Sequence, residues 1–180
     1  MKKSTNGLGF TIIELIVVVT VVGILAAITV VSYSAAQGRA RDTTRRADIA
    51  NITKALEQYY DDNGSYPTTS GASSTIQSYW YLSTATGWTS TLATALNGII
   101  SPLPVDPRNN GSFVTARQFS YAYFSGTGCG KSPGQWYVLL YEFEASDKEK
   151  FTDGTATACV ANDGDTFFNT YGASYYRVVR

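Results

Sequence analysis

From Phe10 to Tyr33 the chain reads FTIIELIVVVTVVGILAAITVVSY, 24 residues broken by a single charge, Glu14. That is the length an α-helix needs to cross a bilayer's hydrocarbon core. A secretory signal peptide would have a shorter apolar stretch, although Ala26 and Ala27 would permit cleavage after one. Polar positions then return at helical spacing. Ile49, Ile52, Leu56 and Tyr59 recur every three or four residues, which predicts an amphipathic helix. Asp61, Asp62, Asn63 and Gly64, followed by Pro67, read as its stop, with Gly64 suited to a left-handed cap. A continuous helix from Phe10 to Asp62 would be roughly 80 Å long.

The pattern changes after this point. Ser65 to Val105 carries no charge, and half of positions 65–94 are serine or threonine, which predicts an irregular loop with a short helix near Ser90–Asn97. Leu103-Pro104-Val105-Asp106-Pro107-Arg108-Asn109 is a turn by its prolines and asparagine. Strand-like alternation follows in Gln118–Phe124, Gln135–Glu144 and Ser174–Val179, and more weakly in Thr157–Val160 and Thr166–Phe168. The expected fold class is therefore α+β. A long N-terminal helix, half transmembrane and half amphipathic, packs on a C-terminal head formed by an antiparallel sheet of roughly three to five strands.

Composition narrows the chemistry. The chain has 180 residues, 14 basic against 14 acidic, no histidine and two cysteines. Serine-histidine and cysteine-histidine catalysis and histidine metal sites are thereby excluded. From residue 63 onward seven basic side chains face eight acidic ones, so nucleic-acid binding has no electrostatic support. Glu142 and Glu144 fall on one face of a predicted strand and read as solvent charges, not a catalytic pair. No catalytic residue, cofactor or metal is expected, and Asp163-Gly164-Asp165 with Asp153 reads as a solvated acidic turn in preference to a calcium loop.

A lone carboxylate inside an apolar run costs roughly 2.5–3.5 kcal/mol at the centre of a membrane, and less near its edge. No basic residue lies between Lys3 and Arg39, so the partner of Glu14 must come from another chain or from a new amino terminus. Gly9-Phe10-Thr11-Ile12-Ile13-Glu14, behind a short leader with Lys2 and Lys3, resembles the type IV prepilin signature shared by type IV pilins and secretion pseudopilins. The resemblance implies the pilin fold and cleavage between Gly9 and Phe10 by a prepilin peptidase, with N-methylation of Phe10. It also implies that Glu14 faces the Phe10 ammonium of a neighbouring subunit, where one close pair is far better than two unpaired charges. The expected segments are the leader 1–9, the assembly helix 10–33, the stem 34–62, a hydroxyl-rich loop 63–118 and the sheet head 119–180.

The resemblance also extends to R-D-x-x-R-x-x-D-I in the stem, to ALEQYYDDNGSYP at its exit and to the proline-aspartate-proline turn. It departs from the family at Val30 and Val31, where many members carry a helix-loosening proline. Charge counting collides with the resemblance, because Arg39, Arg41, Arg45 and Arg46 outnumber Lys2 and Lys3. The leader's processing and the cysteines place the head outside nonetheless, and the arginines await partners in lipid phosphates, neighbouring subunits or solvent.

Cys129 and Cys159 allow one intrachain bond, expected to contribute roughly 3–4 kcal/mol, with buried thiols or intermolecular pairing as alternatives. Tyr79, Trp80, Tyr81 and Trp88 are expected in the core ahead of an adhesive surface. The function implied is that of a structural subunit, not an enzyme. It polymerises with copies of itself or other pilins into a type IV pilus-like surface filament, by way of the inner membrane and an assembly platform. The alternatives are a type II secretion pseudopilin and a membrane-anchored binding module.

Overall fold

A computed structural model describes residues 10–69, 80–111, 119–127, 131–144 and the backbone of 176–179. The chain divides into two compact units, Met1–Gly38 and Arg39–Arg180. One helix, α1 (Ile12–Asn63), contributes to both.

In the first unit the β-branched residues of α1 form a helix despite their modest propensity, as an apolar segment must when water is absent to satisfy its backbone. Its hydroxyls are satisfied within the helix. Thr20 Oγ1 donates to Val17 O at 2.8 Å, Thr29 Oγ1 to Leu25 O and Ala26 O at 3.0 and 2.9 Å, and Ser32 Oγ to Ile28 O at 3.2 Å. This part of the chain is long and apolar enough to cross a membrane.

In the second unit α1 buries Ile49, Ile52 and Leu56 of the stripe that the sequence spacing marks, with Ala55 beside them. The helix ends where expected. Gly64 adopts φ +70°, and its N–H donates to Tyr60 O at 2.7 Å, while Asn63 Nδ2 donates to Tyr59 O at 2.9 Å. Left-handed glycine lets the chain turn away without the strain that a Cβ would bring.

Among the described residues four antiparallel strands form one sheet in chain order: β1 (Tyr81–Leu82), β2 (Ala122–Phe124), β3 (Val138–Tyr141) and β4 (Tyr176–Val179). Tyr81 pairs with Tyr123, Tyr123 with Leu139, and Leu139 with Val178. β1 lies inside the segment expected to be loop, and two residues are too few for alternation to reveal. Near the expected short helix, Gly87–Leu92 form a π-helical turn that continues into one α-turn, Ala93–Ala95.

The core joins Ile49, Ile52 and Leu56 to Tyr121, Tyr123, Tyr137, Leu139, Tyr141 and Phe143, with Trp88, Leu92 and Leu96 filling its side. The opposite face of β2 and β3 is buried too, with Trp80 and Trp136 against the Phe124 ring at 5.2 and 5.7 Å. A sheet covered on both faces explains continuous apolar strands in place of strict alternation.

Candidate assembly site

At the start of α1, Phe10 is 86% exposed and Thr11 acts as the helix cap. The Thr11 N–H and Oγ1–H both donate to Glu14 Oε2 at 2.8 Å, and the Glu14 N–H donates back to Thr11 Oγ1 at 3.2 Å. This is a reciprocal capping box, which satisfies donors that a helix start otherwise leaves open. Its signal in the sequence is Thr11-Ile12-Ile13-Glu14, a threonine followed three positions later by a glutamate. Glu14 therefore already has an intrachain partner for one oxygen, while Oε1 has none among the described residues.

Beyond the cap, the large apolar side chains from Ile12 to Ile28 are each at least half exposed, and they lie all around the helix. A helix apolar on every side is stable only inside lipid or among other helices. Gly9, expected before the cleavage point, lies outside the described residues, as do Cys129, Cys159, Asp153 and Asp163–Asp165.

The second unit contains a charge cluster that local sequence did not foretell. Arg45 is fully buried. Its Nε and Nη2 donate to the two oxygens of Asp106 at 2.7 and 3.0 Å, and Nη1 donates to Asp42 Oδ1 at 2.8 Å. Nη2 also lies 2.9 Å from Glu144 Oε1. Arg41 grips Glu144 with two bonds of 2.7 and 2.6 Å, and the Glu144 backbone N–H donates to Asp42 Oδ1 at 2.8 Å. Asp106 Oδ1 also accepts from the Arg108 and Asn109 N–H groups, closing the proline-flanked turn.

Arg41, Arg45 and Arg108 thus face Asp42, Asp106 and Glu144, three charges of each sign. Burial alone would raise the Glu144 pKa, but the bonds from Arg41 and Arg45 outweigh it and hold the carboxyl at about 2. Burial likewise opposes the Arg45 charge, and its carboxylate partners overcome that and push its pKa up. Nearby, burial raises Asp48, which accepts a 2.8 Å bond from Tyr121 Oη.

Two expectations change as a result. Glu142 and Glu144 are not solvent charges: β3 stops at Tyr141, and both carboxylates turn inward, Glu144 onto the arginines. The arginine cluster is not left waiting for lipid or neighbours either. Arg41 and Arg45 are consumed within the head, and Arg46 stacks on Phe143 at 4.3 Å, leaving Arg39 exposed. Trp80 and Trp88 are core residues, as expected, and Trp88 Nε1 donates to Pro104 O at 3.0 Å. Among the described residues no group of three or more acidic, cysteine or histidine side chains is arranged to hold a metal.

The family profile described as "Type II secretion system (T2SS), protein G" matches residues 32–110, a span that includes the stem arginines and Asp106. Over 103 residues the chain is 35% identical to the type II secretion system core protein G of Pseudomonas aeruginosa, covering 57% of this chain and 68% of that one. The Escherichia coli core protein G is 30% identical over 111 residues, covering 61% and 72%. The type IV wide pilus major component of Thermus thermophilus is 40% identical over 67 residues, covering 37% and 51%. No solved structure gives a significant match.

Proposed function

Because this chain belongs to the type IV pilin and pseudopilin family, whose members are structural subunits and not enzymes, we propose that it is a filament-forming subunit of the pseudopilin kind. The observation that carries the proposal is a helix apolar on all sides from Ile12 to Ile28, exposed throughout, with one carboxylate at its start. Such a surface asks for lipid first and for other copies of itself afterwards.

In this reading a prepilin peptidase cuts between Gly9 and Phe10, and the new Phe10 amine is methylated. Glu14 then meets the Phe10 ammonium of an adjacent protomer. Thr11 retains Oε2 while Oε1 receives the incoming charge, so pairing need not dismantle the helix cap. Before assembly the subunit is anchored in the inner membrane, and an assembly platform draws it into the filament. The burial of Trp80 and Trp88 counts against the aromatic grip on which a membrane-anchored binding module would depend.

The pseudopilin reading is preferred over a surface pilus because the profile and two of the relatives above are protein G of type II secretion. The Thermus relative supports a pilus as the second reading. Deleting the gene discriminates between them. Loss of protein export, with no filament on the wild-type surface, fits the first; abundant native filaments containing this chain fit the second. Mass spectrometry of the mature subunit tests both, since a chain that keeps Met1–Gly9 would refute processing.

A further inference from the structure

Three Asn-Gly dipeptides lie within the described residues, Asn63-Gly64, Asn97-Gly98 and Asn110-Gly111, and a fourth, Asn6-Gly7, precedes the proposed cleavage point and lies outside them. Asparagine before glycine is chemically labile, because a residue without a side chain lets its backbone nitrogen swing onto the asparagine carbonyl carbon. The structure treats the three differently. At the first, Asn63 Nδ2 is bonded to Tyr59 O at 2.9 Å and the Gly64 N–H to Tyr60 O at 2.7 Å, so both reacting groups are occupied. At the third, Asn110 Oδ1 accepts the Phe119 N–H at 3.1 Å, and the Asn110 N–H donates to Phe119 O at 3.0 Å.

Asn97 is unlike both. Its side chain is exposed, and neither it nor the Gly98 N–H has a hydrogen-bond partner among the described residues. Gly98 sits at φ +96°, and a Cβ placed there would meet nothing within 4 Å, so no neighbouring side chain crowds its α-carbon.

We propose that Asn97 is a site of spontaneous covalent modification, deamidation through a cyclic imide with water as co-reactant. The Gly98 nitrogen gives up its proton to hydroxide and bonds to Asn97 Cγ; the Cγ–Nδ2 bond breaks and ammonia leaves with a solvent proton. Water then opens the imide. Attack at Cγ gives aspartate, and attack at the backbone carbonyl gives isoaspartate. The sum is amide plus water to carboxylate plus ammonium, with no oxidation.

The product has a structural address. The Ile99 and Ile100 N–H groups both donate to Leu96 O at 3.0 Å across the reacting pair. Ile99 and Ile100 also line an open groove of about 280 Å³ with Lys54 and Gln58. Isoaspartate inserts a carbon into that bonded turn, and either product sets a new negative charge beside the groove wall.

The test is peptide mapping of the purified full chain in detergent during incubation at mildly alkaline pH, folded and in denaturant. Among the three described sites of the folded protein Asn97 converts first and several-fold faster than Asn63 and Asn110, at a rate rising with hydroxide; in denaturant the three converge. Conversion of Asn63 or Asn110 as fast as Asn97 in the folded chain would overturn the proposal, as would an unchanged Asn97. Asn97→Gln removes the early product, and survival of that product in the variant would also count against the assignment.

Discussion

Arg45 and Asp106 meet through two hydrogen bonds of 2.7 and 3.0 Å with both side chains fully buried, the one from the stem helix and the other from the proline-flanked turn. Sixty-one positions separate them in the chain. The pair therefore fastens the turn to the helix.

Removing one member should cost more than removing both. Arg45→Met removes the cation bonded to the fully buried Asp106 and is expected to destabilise the head by about 3–5 kcal/mol. Arg45→Met combined with Asp106→Leu should recover a large part of that loss, because two desolvated charges disappear together. Denaturant unfolding followed by tryptophan fluorescence measures both. Equal losses in the single and double variants would show that the pair's own attraction, and not the stranded charge, dominates.

Glu144 gives the acid response a definite sign. Its folded pKa of about 2 lies below the ordinary 4.5, so the folded state takes up the proton less readily than the unfolded chain. Its stabilising contribution is complete above about 4.5 and fades as pH falls toward 2. Asp48, raised by burial, works in the opposite sense and gains stability on protonation. Unfolding free energy measured across this window should fall for the native chain and fall less for Glu144→Gln. An identical acid profile in the variant would remove Glu144 from the account.

At the membrane end, Glu14→Ala and Thr11→Val separate capping from assembly. Either change removes one half of the capping box, worth about 0.5–2 kcal/mol. Both variants should be inserted and trimmed normally. Glu14→Ala should be largely excluded from filaments, and Thr11→Val should be incorporated at a reduced level. Subunit content of sheared or purified filaments reads the difference; wild-type incorporation of Glu14→Ala would dispose of the interprotomer pair.

Cys129 and Cys159 are proposed to be joined. Reduction should then lower head stability by roughly 3–4 kcal/mol, and thiol alkylation of native protein without reductant should label neither residue. Labelling of both would identify free thiols.

What the sequence disclosed was the short-range part of the design. The apolar run, the Ile49-Ile52-Leu56 stripe and the Gly64 stop are all written in spacings of a few residues, and each is found in place. The Arg45 cluster gathers the stem, a turn and the segment after β3, and Arg41 and Glu144 stand 103 positions apart. No local period encodes such a meeting. Glu142 and Glu144 depart from the expected solvent face because β3 ends at Tyr141, three residues short of the predicted strand, and beyond it side chains no longer follow the pleat. Thr11 and Glu14 show the converse: a four-residue motif at the helix start is local and legible, and its hydrogen bonds hold the carboxylate within its own chain.

Thr20, Thr29 and Ser32 direct their hydroxyls onto carbonyls of their own helix. To a neighbouring helix these three hydroxyls consequently offer no free donor, and the middle of the span presents chiefly apolar contour. In the proposed filament, the one charge of the span, Glu14 in its first turn, would then be what sets where a subunit comes to rest.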